Sequence, residues 1–195
     1  MSGTDPDARL AARLRTLRAE RGLSLDALAA RTGVSRSMIS VVERGESSPT
    51  ASLLDRLAAG LGVTLAALFA EEERAGATPV SRRPDQAVWR DPETGYERRN
   101  LSPSGFPSAL DLVEVVLPPG ARVAYDTGPR AAPFDQQIWI LEGSLDLAEG
   151  GSTHRLEAGD CLAMRLDGPT TFRNPAGRPA RYLVALAAGA WRGRP

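Results

Sequence analysis

The sequence predicts two domains of different class, an all-α bundle of five helices followed by an all-β unit. Up to Ala70, leucines and alanines recur at the i, i+3, i+4, i+7 spacing of a helical face, with hydroxyl residues opening the runs and glycines closing them. From Ala87 onwards the texture changes to short strand-like runs separated by turn residues at intervals of roughly 8 to 12 residues. The 15 prolines and 19 glycines point the same way, since they imply many turns in at least part of the chain. The expected division is a helical domain over 1–70, a linker over 71–86 and a β domain over 87–195.

Taken in order, residues 5 to 21, DPDARLAARLRTLRAER, place Leu10, Leu14 and Leu17 on one stripe, with acids near the start and arginines near the end, as the helix dipole prefers. Gly22 closes this helix. Ser24 caps the next, whose Leu25, Leu28, Ala29 and Thr32 share a face, and Gly33 ends it. Ser35 caps a third. Its Val34, Ile39 and Val42 turn inward, while Arg36, Ser37, Ser40, Val41 and Arg44 form the opposite, polar face. Thr50 caps a helix through Leu61 that carries Leu53, Leu54, Leu57, Ala58 and Leu61 inward before Gly62. Thr64 starts a last helix whose Leu65, Leu68 and Phe69 close the bundle. The second and third helices, joined by a tight glycine turn, make the helix-turn-helix arrangement that lays its second helix in the DNA major groove.

The segment EEERAGATPVSRRPDQ, 71–86, loses helical periodicity and gains charge, glycine and proline, as a linker or the lead-in to a strand does. The β domain then reads AVW, YERRNL, ALDLVEVVL, ARVAY, QIWILEG, SLDLA, THRLEAGD, CLAMRL, TTFRNP and RYLVALA, with LPPG, AEGGS, EAGD and NPAG as turns. Many short strands of this kind imply a sandwich or barrel.

Charge and cysteine usage narrow the function. The formal net charge is zero. Up to Ala70 there are nine arginines against seven acids, so the electrostatic footprint expected for nucleic acid is modest. The chain has no lysine, and each arginine is weighed only within a motif. The single cysteine, Cys161, excludes an intramolecular disulfide and is expected to be a small buried hydrophobe. No apolar run approaches the roughly 18 residues of a membrane span, and MSGTDPDARL lacks a signal-peptide core. The expectation is a soluble cytoplasmic protein with no membrane partner.

From Leu17 to Phe69 the chain resembles the Xre-like, phage-repressor type of helix-turn-helix domain. The resemblance rests on the LS start, the ALA core turn, the GVS turn, the ISxxERG end and the LAAGLGV fourth helix. It implies double-stranded DNA as partner, with base contacts from Arg36, Ser37 and Val41 and with Ser40 nearby. Arginine suits the bidentate pair to guanine, serine pairs with either base type, and valine meets a thymine methyl. Ser24, Ser35 and Arg44 are backbone-contact candidates. Leu25 stands where many relatives carry glutamine, so its contact would run through the helix N-terminal amides. Arg18 and Glu43 hold the positions of a partly buried ion pair between the first and third helices.

From Leu110 to Ala187 the chain resembles the cupin family, a small antiparallel jelly-roll barrel, through PPGARV, WILEGSLDL and LEAGDCLAMRLDGPTTFRN. Cupins are often metalloenzymes, and the resemblance maps their ligand positions onto Arg130, Ala132, Gln136 and Thr170. Asn174 matches a motif position that is not normally a ligand. An amide, a methyl and a hydroxyl do not replace imidazoles and a carboxylate around a divalent cation. No metal, no cofactor and no catalytic residue are expected, and the single histidine, His154, lies outside both motifs. Strand alternation instead turns Gln136, Ile138 and Ile140 inward, with Arg130, Thr170, Met164 and Phe172 nearby, as a pocket for a small organic effector. Trp139 and Gln137 turn outward, towards a packing or dimer surface. Together the two resemblances imply a sequence-specific transcriptional regulator, a homodimer on a palindromic site, with a metal-free sensor domain. The alternatives are a cupin isomerase or dioxygenase with a DNA-binding head, and a constitutive DNA-binding scaffold with an empty barrel.

Overall fold

A computed structural model describes residues 6–70, 76–125 and 134–188. The head contains α1 (Pro6–Glu20), α2 (Leu25–Thr32), α3 (Arg36–Glu43), α4 (Ala51–Leu61) and α5 (Leu65–Phe69). Each of the last four begins with the hydroxyl expected of it: Ser24, Ser35, Thr50 and Thr64 accept from the amides of Ala27, Met38, Leu53 and Ala67. These bonds satisfy amides that a helix start otherwise leaves unpaired. The three leucines of the α1 stripe are buried with Leu28, Ile39, Val42, Leu54, Leu57, Leu61 and Leu68. Helix α4 crosses α2 at Gly60, where an added Cβ would stand 2.3 Å from Cγ2 of Thr32. A side chain at this position would push the branched Thr32 side chain aside.

The β domain has ten strands among the described residues. A six-stranded antiparallel sheet runs in the order β1 (Val88–Arg90), β2 (Glu97–Asn100), β3 (Leu110–Leu117), β10 (Ala180–Ala188), β5 (Phe134–Glu142), β8 (Cys161–Arg165). A four-stranded sheet runs β4 (Arg122–Tyr125), β9 (Thr170–Arg173), β6 (Ser144–Glu149), β7 (Ser152–Glu157). The crossing of neighbours between the two sheets is a jelly-roll arrangement of the cupin type. Between them lies a core of Val113, Val115, Leu117, Ile138, Ile140, Leu145, Leu147 and Phe172. Strand β5 alternates as expected, with Phe134, Gln136, Ile138 and Ile140 buried and Gln137 and Trp139 exposed.

Two residues hold the turns of this domain in place. Gly143, at φ 81°, turns β5 into β6 so tightly that a Cβ would stand 2.8 Å from the carbonyl oxygen of Pro179. Asn174 is fully buried; its Nδ2 donates to the carbonyls of Leu117 (3.0 Å), Pro118 (3.1 Å) and Arg178 (2.8 Å), and its Oδ1 accepts from the amide of Ala176 (3.0 Å). It ties two loops together, which is a structural use of the side chain.

Cys161 corrects the expectation of burial. It is exposed. It opens the edge strand β8 directly opposite Trp139 on β5, and this register puts both side chains on the outward face of the sheet. An apolar side chain adopts the phase its strand imposes, and here the phase is outward.

The head is seated on the β domain. Helix α4 packs against β4 and α1 touches β1. Phe69 of α5 tilts against Trp89 with ring centroids 5.5 Å apart, and Trp89 meets Tyr96 edge-on at 6.2 Å. The buried carboxylate of Asp91 accepts from the amide of Ala51 at 2.9 Å, and its other oxygen takes the amide of Thr94 at 2.9 Å and the Thr94 hydroxyl at 2.5 Å. Residues of the segment read as a linker contribute a short 3-10 turn, Arg83–Asp85.

Candidate DNA-reading face and effector cavity

Helix α3 is held from behind by Val34, Ile39 and Val42, all buried, and this orientation decides which residues face outward. Arg36 and Ser37 are exposed, and Ser40 and Val41 are half-buried beside them. The Arg36 side chain is 63% exposed with Nε 3.3 Å from a carboxylate oxygen of Asp26, a solvated pair that does not fix it. Ser35 and Ser37 share a hydrogen bond at 3.1 Å. Met38 is also exposed, at 41%, and was missed by the sequence reading. It stands one turn before the buried Val42, at the flank of the buried face, and a large apolar side chain left exposed there is a further candidate for contact with base methyl groups.

The backbone-contact candidates surround this face. Ser24 and Ser35 are exposed caps whose hydroxyls already accept from their own helices. Leu25 is half-buried against the core, so only its backbone remains for contact. Arg44 donates to both oxygens of Glu46 at 2.6 Å each and also to the hydroxyl of Ser40. These bonds raise the pKa of Arg44 and lower that of Glu46. A phosphate at Arg44 has to displace Glu46 or approach beside it.

Arg18 and Glu43 sit behind the reading helix. Nε and Nη2 of Arg18 donate to the two carboxylate oxygens of Glu43 at 2.7 and 2.8 Å, and Nη1 donates to the carbonyl of Leu23 at 2.8 Å. The hydrogen bond to Glu43 is the largest cause of the raised pKa of Arg18. The two side chains are 17% and 8% exposed, so the bidentate pair fastens α1 to the end of α3 from inside, and the bond to Leu23 holds the loop that leads into α2.

The second feature is a cavity of about 50 Å³ between the head and the β domain. Asp55 and Leu65 come from α4 and α5; Tyr96, Arg98, Val115, Tyr125, Gln136, Leu166, Gly168, Thr170, Phe172, Tyr182, Val184 and Leu186 come from the β domain. Of the expected pocket residues, Gln136, Thr170 and Phe172 line it. Ile138, Ile140 and Met164 are buried but do not, and Gln136 Nε2 reaches the sulfur of Met164 at 3.8 Å. Arg130 lies outside the described residues.

The sequence reading missed Arg98, the charged group of this cavity. It is 5% exposed, its Nη1 is 3.4 Å from the Tyr96 hydroxyl, and its Nε and Nη2 have no hydrogen-bond partner. The guanidinium carbon lies 5.9 Å from the centre of the Phe69 ring. The signal was the alternation in YERRNL, which puts Tyr96 and Arg98 on one face, opposite Arg99. Burial holds the hydroxyls of Tyr125 and Tyr182 well above the ordinary tyrosine pKa. Burial likewise raises the pKa of Asp111, against the opposing field of Arg98.

Of the four positions that the cupin resemblance maps as metal ligands, Arg130 and Ala132 lie outside the described residues. Gln136 and Thr170 stand at two of the mapped ligand positions and offer one amide and one hydroxyl. Among the described residues there is no group of three His, Cys, Asp or Glu side chains placed to hold an ion. No helix among them is long and apolar enough to cross a membrane.

Comparison with known proteins agrees with this architecture. The helix-turn-helix family HTH_3 matches residues 14–68. The HTH-type transcriptional regulator SutR of Escherichia coli is 28% identical over 165 residues, covering 85% of this chain and 86% of that protein. The HTH-type transcriptional regulator PuuR of the same organism is 28% identical over 177 residues, covering 89% and 91%. The crystal structure of an HTH_3 family transcriptional regulator from Vibrio cholerae superposes with a TM-score of 0.72 at 27% identity, over 94% of this chain and 97% of that one. The cap geometry of α2 and α3, the outward face of α3 and this match identify residues 14–68 as a helix-turn-helix domain of the HTH_3, Xre-type family, joined here to a cupin-type β domain.

Proposed function

We propose that the protein is a sequence-specific, DNA-binding transcriptional regulator that acts as a homodimer and whose β domain senses a small organic molecule. The observation that carries the reading is the outward face of α3, with Arg36, Ser37, Met38, Ser40 and Val41 presented by a rigid, capped helix-turn-helix. Arg36 reads a base edge, Ser37, Ser40 and Val41 contribute neighbouring contacts, and Ser24, Ser35, Arg44 and the amides around Leu25 set the register on the phosphates. The names of the regulators similar over most of the chain support the same reading.

A single head with so small a positive surplus binds weakly, which favours two heads on a two-fold symmetric site. The dimer face is the outer surface of the larger sheet, where Trp139 is 48% exposed and shares a shallow depression with Gln137, Cys161, Leu183 and Ala185. The β domain serves as sensor and clamp rather than catalyst. Its cavity offers an arginine, an amide, a hydroxyl and aromatic walls, a set suited to recognition. The domain limits of this reading are 1–70 for the head and 87–195 for the β domain.

The test is enrichment of duplexes from a random-sequence library by the full chain. A palindromic motif with half-sites about one helical turn apart supports the reading; recovery of unrelated sequences at equal affinity removes it.

A further inference from the structure

One charged side chain in the cavity is left with unused donors. Arg98 is 95% buried, and Nε–H and Nη2–H form the edge of the guanidinium that takes both oxygens of a carboxylate. An arginine desolvated without hydrogen-bond acceptors is costly, and an anion bound at that edge completes the set. Tyr125, Phe172, Tyr182 and Val184 supply apolar and aromatic wall beside it, while Gln136 and Thr170 add neutral polar atoms. Two acids limit how much negative charge fits: Asp55 is in the same lining, and Asp111 already interacts with Arg98 through its field. A second carboxylate on the ligand would meet them.

We infer that the cavity is a binding site for a small monocarboxylic acid, its carboxylate paired with Nε and Nη2 of Arg98 and its apolar body against Tyr125, Phe172 and Tyr182. This rests on the sensor reading above and gives it a chemical class. Because Asp55 and Leu65 of the head form part of the same wall, an occupant touches both domains and tightens the seat of α4 on the β domain. A ligand with such contacts shifts the equilibrium between seated and released heads by its difference in affinity for the two.

The experiment uses the full chain, with formate, acetate and propionate as probes, a set matched to a cavity of about 50 Å³, their neutral amides and malonate as controls, and ionic strength held constant with sodium chloride. Isothermal titration and thermal shift are expected to show binding by at least one monocarboxylate and at least tenfold weaker binding by its amide and by malonate. Arg98→Gln is expected to lose at least tenfold in affinity for the acid. The comparison of acid with amide on the unaltered chain stands even where Arg98→Gln does not fold. Hydrogen exchange across α4 is expected to slow on binding. Equal binding of acid and amide, or no binding of any acid at millimolar concentration, overturns the inference; unchanged exchange in α4 overturns the bridging. Enrichment of a palindromic DNA motif by ligand-free protein is scored separately, so a regulator with no acid site is told apart from a protein that is no regulator.

Discussion

The carboxylate of Asp91, in the β domain, accepts the backbone amide of Ala51 at 2.9 Å, so the first turn of α4 is capped from the other domain. Thr50 caps the same turn from within, at the amide of Leu53. A negative charge at a helix N-terminus is favourable, and a buried one is more so. Replacing Asp91 by alanine leaves the Ala51 amide and the Thr94 hydroxyl without this partner. The expected loss is about 2 to 3 kcal/mol in urea unfolding, with faster hydrogen exchange at the start of α4. Asp91→Asn keeps an acceptor and is expected to lose about 1 kcal/mol. Unaltered exchange in α4 of a stable Asp91→Ala protein would show that the seam does not depend on this bond.

Arg36→Ala is expected to relax base preference at one position of the enriched site, at a cost of about 1 to 3 kcal/mol. Arg44→Ala is expected instead to weaken all sequences alike and to lower the salt dependence of binding by about one counterion. Binding isotherms at several salt concentrations separate the two. Equal affinity of Arg36→Ala and the parent for the preferred site removes Arg36 from the base-reading set.

Arg18 and Glu43 act on stability. Removing one partner leaves the other desolvated, so Arg18→Ala is expected to destabilise the head by about 3 kcal/mol while leaving the motif preferred by the folded fraction unchanged. Denaturant titration and motif enrichment under stabilising conditions check the two halves. A changed motif would make the pair part of recognition.

Trp139 provides the test of assembly. Trp139→Glu places a charge in the exposed patch on the outer sheet without entering the core and is expected to shift sedimentation from dimer to monomer, with a matching loss of affinity for two half-sites but not for one. A Trp139→Glu protein that still sediments as a dimer moves the interface elsewhere.

Tyr125 and Tyr182 make stability fall in alkali. Their folded pKa values lie well above the ordinary 10.0, raised chiefly by burial. As pH rises through about 10, the unfolded chain releases these protons while the folded chain keeps them, so their contribution is whole below that pH and is lost above it. Urea midpoints measured from pH 8 to about 11 are expected to drop, and Tyr182→Phe is expected to flatten the drop.

Much of this architecture was legible in the residues. Hydroxyl caps and glycine stops act within a few residues of themselves, so Ser24, Gly33, Ser35, Thr50, Gly62 and Thr64 marked their helix ends. Alternation along β5 likewise placed Gln136 inward and Trp139 outward. Cys161 was misplaced because its direction follows from pairing with β5, a partner distant in sequence. Arg98 escaped notice for the same reason: a charge in a two-arginine run reads as solvated until Phe69 and the aromatic walls converge on it from elsewhere in the chain. The seam between head and β domain depends on Asp91 meeting Ala51, and no local pattern announces that contact.

The seam also says something about how such a protein diversifies. It is built from α4, α5 and α1, whereas Arg36, Ser37 and Met38 are exposed on α3. On the proposed reading, substitutions on the projecting face change which sequence is read without disturbing the joint, and substitutions inside the cavity change what is sensed without touching the face. Address and trigger would then drift independently under selection, each inherited as a separate trait of one short chain.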